Sequence, residues 1–314
     1  MFEIIISLSL VEELVALVGG GWNGENDINT TEIVPNDKCN RSVRSLPVGI
    51  SSHPSMILTP EEEILICGGS PSRKKCLELK KNKGWQFHSN LNAKRSWASA
   101  VTMPDGVYIF GGYKSKTSWE WLPKGAKEWE WGNNSIPNRG FYRGCAVKIN
   151  DLEIILIGGH DTYGEVIYGR DTYKRVMKFN TFSKKWTNLG NVLNQGRRGH
   201  ACVRFGDKII VAGGRDSKSK ILASTEIINL HDLKNATTSG DLGLRRSWHG
   251  IVVVHIDDKP TAMAVGGYGI GYMNSVETWN PDTETWSIPS YSFDLSERRG
   301  LFGILSLPAR LLCL

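Results

Sequence analysis

The chain has 314 residues, 34 glycines, 11 tryptophans and a formal net charge of +6, with 22% charged residues. So much aromatic surface with so little charge excludes a disordered chain, and no run approaches the roughly 20 apolar residues of a membrane helix. Basic residues come as scattered pairs (Lys184-Lys185, Arg197-Arg198, Arg245-Arg246, Arg298-Arg299), which excludes the concentrated stripe of a nucleic-acid reader and leaves a basic rim for an acidic partner such as a sulfated glycan.

The first ten residues, MFEIIISLSL, resemble a secretory h-region but carry Glu3 and no basic n-region, so residues 1–13 read as a signal-like segment or an extra strand. From Leu14 onward an apolar strand ending in Gly-Gly recurs. The copies are LVALVGG (Gly19, Gly20), ILICGG (Gly68, Gly69), VYIFGG (Gly111, Gly112), IILIGG (Gly158, Gly159), IIVAGG (Gly213, Gly214) and AMAVGG (Gly266, Gly267). Successive second glycines lie 49, 43, 47, 55 and 53 residues apart, a period that marks a repeat architecture. Ahead of most copies stands an Arg followed by a small or aromatic residue: Arg95-Ser96-Trp97, Arg143-Gly144-Cys145, Arg198-Gly199-His200 and Arg246-Ser247-Trp248. His53 holds this place in the second unit. Behind the glycines come a loop, a strand such as SVETWN (Ser275 to Asn280) and a Trp in a final strand: Trp85, Trp129 or Trp131, Trp186, Trp286. The first and fifth units lack that Trp, which predicts looser interfaces there. The tail RRGLFGILSLP (Arg298 to Pro308) reads as a first strand with no unit of its own, so it is assigned to the first blade in competition with EIIISLSL.

This order of Arg, small residue, apolar strand, Gly-Gly, strand and Trp resembles the kelch repeat family from about Leu14 to the end. The resemblance implies an all-β fold: a six-bladed propeller with four antiparallel strands per blade, residues 14–314 as one domain, and a ring closed by N- and C-terminal strands in one blade. Gly-Gly lets the chain leave the sheet with φ > 0 while another backbone passes close by, and Trp85, Trp186 and Trp286 fill the wedge between blades.

Of the six cysteines, Cys145 and Cys202 are expected as buried, inert thiols in first strands. Cys67 and Cys76, flanking GGSPSRKK on antiparallel neighbours, are placed to form a disulfide. The set TTEI, Cys39, Leu46-Pro47, ICGG and Cys76 resembles animal extracellular kelch-repeat proteins. With sequons at Asn29, Asn40, Asn133 and Asn235, all in predicted loops, it favours an extracellular location over the cytoplasm.

No CxxC, HExxH, GxSxG or P-loop occurs. A copper-oxidase-like enzyme on the same ring, the least favoured reading, would need Tyr, His and Cys converging on a metal, and the seven histidines show no ligand spacing. His200 and His249 read as structural. The resemblance implies a monomeric, non-catalytic scaffold without cofactor that binds a partner protein through loops on one face. The alternative is the substrate-recognition domain of a cytosolic ubiquitin-ligase adaptor, or an actin-binding kelch protein, which predicts BTB and BACK helices upstream. Candidate binding residues lie in the loop HDTYGEVIYGRDTYK (His160, Tyr163, Tyr168, Arg170, Tyr173), in YGIGYMN (Tyr268, Tyr272) and at Arg215 behind its Gly-Gly pair. Tyr and Arg are the residues enriched at hot spots, though these tyrosines could equally pack their loops down. The repeat arginines either line the channel as ligands or hydrogen-bond neighbouring backbone, the second being favoured.

Overall fold

A computed structural model describes residues 12–35, 43–137, 140–160, 173–289 and 293–312. Strands with apolar residues on both faces need cover on both sides, and a ring of blades provides it. In Leu14–Gly19, Val15 and Leu17 pack towards the second blade while Ala16 and Val18 pack towards the sixth. Six such apolar layers, one between each pair of neighbouring blades, make up the core.

Five blades are four-stranded antiparallel sheets. Their first strands, Ser55–Leu58, Ser99–Met103, Cys145–Lys148, Ala201–Phe205 and Gly250–Ile256, line the central channel. The first blade shows three strands among the described residues, and its innermost is the C-terminal Gly303–Pro308, paired along its length with Leu14–Gly19. The ring is therefore closed by the tail. The competing segment EIIISLSL lies outside the described residues. Helix is confined, among those residues, to one short turn at Ala309–Leu311.

The blades are joined by a repeated clasp. Arg246 leads into the sixth blade; its carbonyl accepts a hydrogen bond from Gly214 N–H of the fifth at 2.8 Å. Its guanidinium reaches into the sixth blade, donating to the carbonyls of Gly266 (2.9 Å) and Ser275 (3.0 Å) and to the Glu277 carboxylate (2.6 Å). Arg95 with Glu120, Arg197 with Glu226 and Arg299 with Glu32 repeat the arrangement. All four arginines are fully buried. The glycine next to each clasp has no space for a side chain: at Gly213, with φ +64°, a Cβ would lie 2.4 Å from the Arg246 carbonyl. In the first blade the structural pair is Gly20–Gly21, one residue later than the spacing implies, because Gly21 N–H makes the inter-blade bond to Ile50.

Two sequence expectations need correction. Arg197, not Arg198, is the clasp residue of the fifth blade, and Arg143 is not a clasp at all, since Phe141 occupies that position. Phe141 and Met177 replace Arg and Glu together and share one apolar cluster, as do Ile50 and Leu77 in the second blade. An ion pair is thus exchanged for an apolar pair as a unit.

The tryptophans wedge as expected. Trp85, Trp129 and Trp286 are buried, Trp131 is exposed, and Trp186 is half-buried. The indole N–H of Trp286 donates to Thr225 Oγ1 of the preceding blade at 2.9 Å, and that of Trp85 to the Arg44 carbonyl at 3.0 Å. In the fifth blade Ala236 faces Ile228 at the corresponding position and is buried in a continuous apolar cluster. Cys67 and Cys76 are register partners and form the expected disulfide. Cys145 and Cys202 are also bonded, against expectation, because the first strands of the fourth and fifth blades run side by side with Cα atoms 6.1 Å apart. Asn235 lies in the strand Asp232–Ser239 rather than in a loop.

Removing one member of a buried ion pair leaves an uncompensated charge, so Glu226→Ala should lower stability by about 3–5 kcal/mol. Copying the fourth blade, Arg197→Phe with Glu226→Met, is expected to recover most of that loss in urea titrations. A double variant no more stable than the single one would show that the two pairs are not interchangeable.

Candidate functional site

A closed circuit of backbone hydrogen bonds surrounds the channel on the Gly-Gly face. Trp97 N–H donates to the Ser52 carbonyl, Arg143 to Trp97, Gly199 to Arg143, Trp248 to Gly199, Leu301 to Trp248 and His53 to Leu301, at 2.7–3.3 Å. Every contributor sits in the left-handed region, with φ between 49° and 64°. That conformation is costly for bulky residues, and the clasps on both sides hold it in place. It also turns the side chains of Trp97, Arg143 and Trp248 towards the channel mouth.

Around that mouth lies a cluster of arginines and aromatic rings. The Arg143 guanidinium stands 4.4 Å from the Trp97 ring and 5.0 Å from Tyr142. Arg215 stands 4.6 Å from Trp248 and 5.5 Å from Tyr268, and donates to Ser247 Oγ. Arg198 is tied to Arg215 by two backbone hydrogen bonds and donates to Ser219 Oγ at 2.7 Å. Burial, then the neighbouring charges of Arg143 and Arg215, pushes Arg198 below the usual arginine range. For Arg215 burial is again the main cause of a downward shift. Unlike the clasp arginines, none of the three is ion-paired to a carboxylate among the described residues, and Nε of both Arg143 and Arg198 is buried without a hydrogen-bond partner.

The candidate residues fall unevenly on this site. Arg215, Tyr268 and Tyr272 belong to it, the two tyrosines packing edge to face at 5.1 Å. His160 is buried with its ring 4.9 Å from Tyr142. The Tyr173 ring lies 4.0 Å beneath the Arg175 guanidinium, on the approach to the fourth blade's third strand. Tyr163, Tyr168 and Arg170 lie outside the described residues. Sequence reasoning missed Trp97 and Trp248 as site residues, and for the repeat arginines Arg143 and Arg198 it favoured backbone bonding over a place at the channel. The available signal was the position two residues after the clasp arginine, which carries Trp97, Gly199, Trp248 and Leu301.

The channel below has a volume of about 200 Å³. His53, His200 and His249 line it. Burial drives His53 and His200 down to about 3, helped by Arg143 and Arg197 respectively, and drives His249 well below its ordinary value. The Cys145–Cys202 disulfide lies in the same wall. Beside the mouth, a second hollow on the sixth blade is bordered by Leu244, Arg245, Ile270, Tyr272, Met273 and Arg298, with Ile270 fully exposed.

Because the buried histidines are neutral in the fold, the unfolded chain takes up protons first, near pH 6.5. Their contribution to stability is complete above that pH and is lost as pH falls below 6.5, for His53 and His200 down towards 3, by up to about 1.4 kcal/mol per pH unit for each histidine. Urea unfolding at pH 7.5, 6 and 5 should show falling stability, with a shallower slope in His200→Gln. Equal stability at 7.5 and 5 would contradict the assignment.

Comparison with known proteins agrees with this geometry. A model of the kelch motif matches residues 196–232, the stretch that carries Arg197, Gly213–Gly214 and Glu226. A solved structure of YjhT is similar, with a TM-score of 0.65 over 83% of this chain and 88% of that one at 14% identity, a likeness of fold alone. No curated protein matches the sequence.

Proposed function

The chain is a kelch-repeat β-propeller, and from that premise we propose that it is a non-catalytic scaffold whose Gly-Gly face binds an acidic segment of a partner protein. The observation that carries this reading is the trio Arg143, Arg198 and Arg215, each without a carboxylate partner among the described residues, with Arg143 and Arg215 each set between two aromatic rings and Arg198 tied to Arg215. Guanidinium groups on aromatic faces keep their donors directed outward and bind carboxylates with two parallel hydrogen bonds. Leu244 and Ile270 beside the mouth offer an apolar anchor next to that charge.

The reading also rests on rigidity. Binding residues perform best on loops held by a stiff frame, and here the frame is the clasped circuit itself. Two disulfides favour an oxidising compartment over the cytosol, so we place the scaffold outside the cell and set aside the ubiquitin-ligase adaptor and actin-binding readings. Burial lowers His53 and His200 to about 3, so among the described residues these two channel histidines are not poised as proton carriers near pH 7.

A panel of fluorescent peptides, acidic and neutral but matched in apolar content, tests the proposal. Acidic members should bind more tightly, and Arg198→Ala with Arg215→Ala should weaken them by about 2 kcal/mol, roughly thirtyfold. Indifference to peptide charge, or affinity unchanged in the double variant, would refute it. Preference for a sulfated glycan over every peptide would keep the anion site but change the partner class.

A further inference from the structure

Away from the channel, three side chains of the second blade converge where no residue of the binding face takes part. Glu78 lies on the third strand, Lys75–Lys80; His88 lies on the fourth, Gly84–Asn90; Glu63 lies in the hairpin between the first and second. One ligand atom from each falls within 4.8 Å of the others. His88 reaches this position because the two strands slip register there, Cys76 opposing Ser89 and Leu77 opposing Phe87, which leaves His88 as the extra residue of a bulge. Bulges re-aim side chains in this way.

The imidazole is oriented as a ligand would be. Its Nδ1 is engaged by Ser89 Oγ at 2.7 Å, and its Nε2 is buried without a hydrogen-bond partner and faces Glu63 Oε2 at 3.9 Å. The His88 side chain is only 2% exposed. A buried polar atom with no partner costs free energy, and one imidazole with two carboxylates is a donor set suited to zinc. We propose that Glu63, Glu78 and His88 bind a zinc ion, with water completing the tetrahedron.

A tetrahedral shell at about 2.0–2.1 Å sets its ligands roughly 3.4 Å apart, so the side chains need to close by about 1 Å. Two ammonium groups now supply positive charge: Lys80 contacts Glu78, and Lys127 of the third blade stands 3.4 Å from Glu63. Their side chains are 44% and 69% exposed, so both heads can swing into water when a dication takes their place. Lys80 is therefore a competitor of the metal.

Calorimetric titration of the EDTA-treated full chain with zinc chloride is the test. One equivalent should bind, at least tenfold more weakly in His88→Ala and in Glu63→Gln, and more tightly in Lys80→Ala. Glu63→Gln changes a half-buried hairpin residue, so the result stands even if His88→Ala fails to fold. Calcium and magnesium, which favour all-oxygen shells, should bind far more weakly than zinc. Failure of the parent to bind zinc, zinc affinity unchanged in Glu63→Gln, or equal affinity for calcium would overturn the proposal.

Discussion

A single residue seated between two blades holds both of them. The carbonyl of Arg95, Arg197, Arg246 or Arg299 binds the Gly-Gly of the blade behind, while the guanidinium binds the Gly-Gly carbonyl and the glutamate of the blade ahead. Much else follows from this arrangement. The glycines are needed because the neighbouring carbonyl occupies the space of a Cβ, and the glutamates are needed because a buried guanidinium requires a counter-charge. Where the guanidinium is absent, at Ile50 and Phe141, the glutamate is absent too, yet the backbone bond to the glycine remains. The carbonyl is thus the invariant element of the joint, and the ion pair is one of two ways to fill the volume beneath it.

The backbone circuit around the channel depends on those joints. Six blades each contribute a left-handed link, and only a frame fixed on both sides can hold tryptophan and arginine in that conformation. The same constraint that closes the ring therefore fans Trp97, Arg143 and Trp248 around its mouth. Arg198 and Arg215, one from the loop into the fifth blade and one from the loop behind its Gly-Gly, complete the basic cluster through their paired backbone bonds. The cluster is assembled by elements far apart in sequence but adjacent around the ring.

Much of the fold was legible in the sequence because its unit is local: six Gly-Gly strands at near-constant spacing leave little choice of architecture. The clasp partner was legible as well, in Thr30-Thr31-Glu32, Ser118-Trp119-Glu120, Ser224-Thr225-Glu226 and Ser275-Val276-Glu277, a Ser or Thr two residues before the Glu. It goes unread unless one asks what a buried arginine would need. Registers within a unit were less legible: Arg197-Arg198 offers two candidates, and only geometry shows which turns inward. The Cys145–Cys202 bond was hidden for a related reason. Their 57-residue separation becomes proximity only when two first strands lie side by side around an axis. The cluster of Arg143, Arg198 and Arg215 likewise spans two blades and has no signature in either alone.

Closure by Gly303–Pro308 has a consequence for how the protein comes into being. Synthesis runs from the amino end, so the strand Leu14–Gly19 leaves the ribosome nearly three hundred residues before its innermost partner. Throughout that interval it presents an open, strongly apolar edge, the kind of surface that recruits other chains. Biogenesis is therefore this architecture's exposed moment: a nascent propeller is an arc with two sticky ends, and the emergence of Gly303–Pro308 turns that arc into a ring.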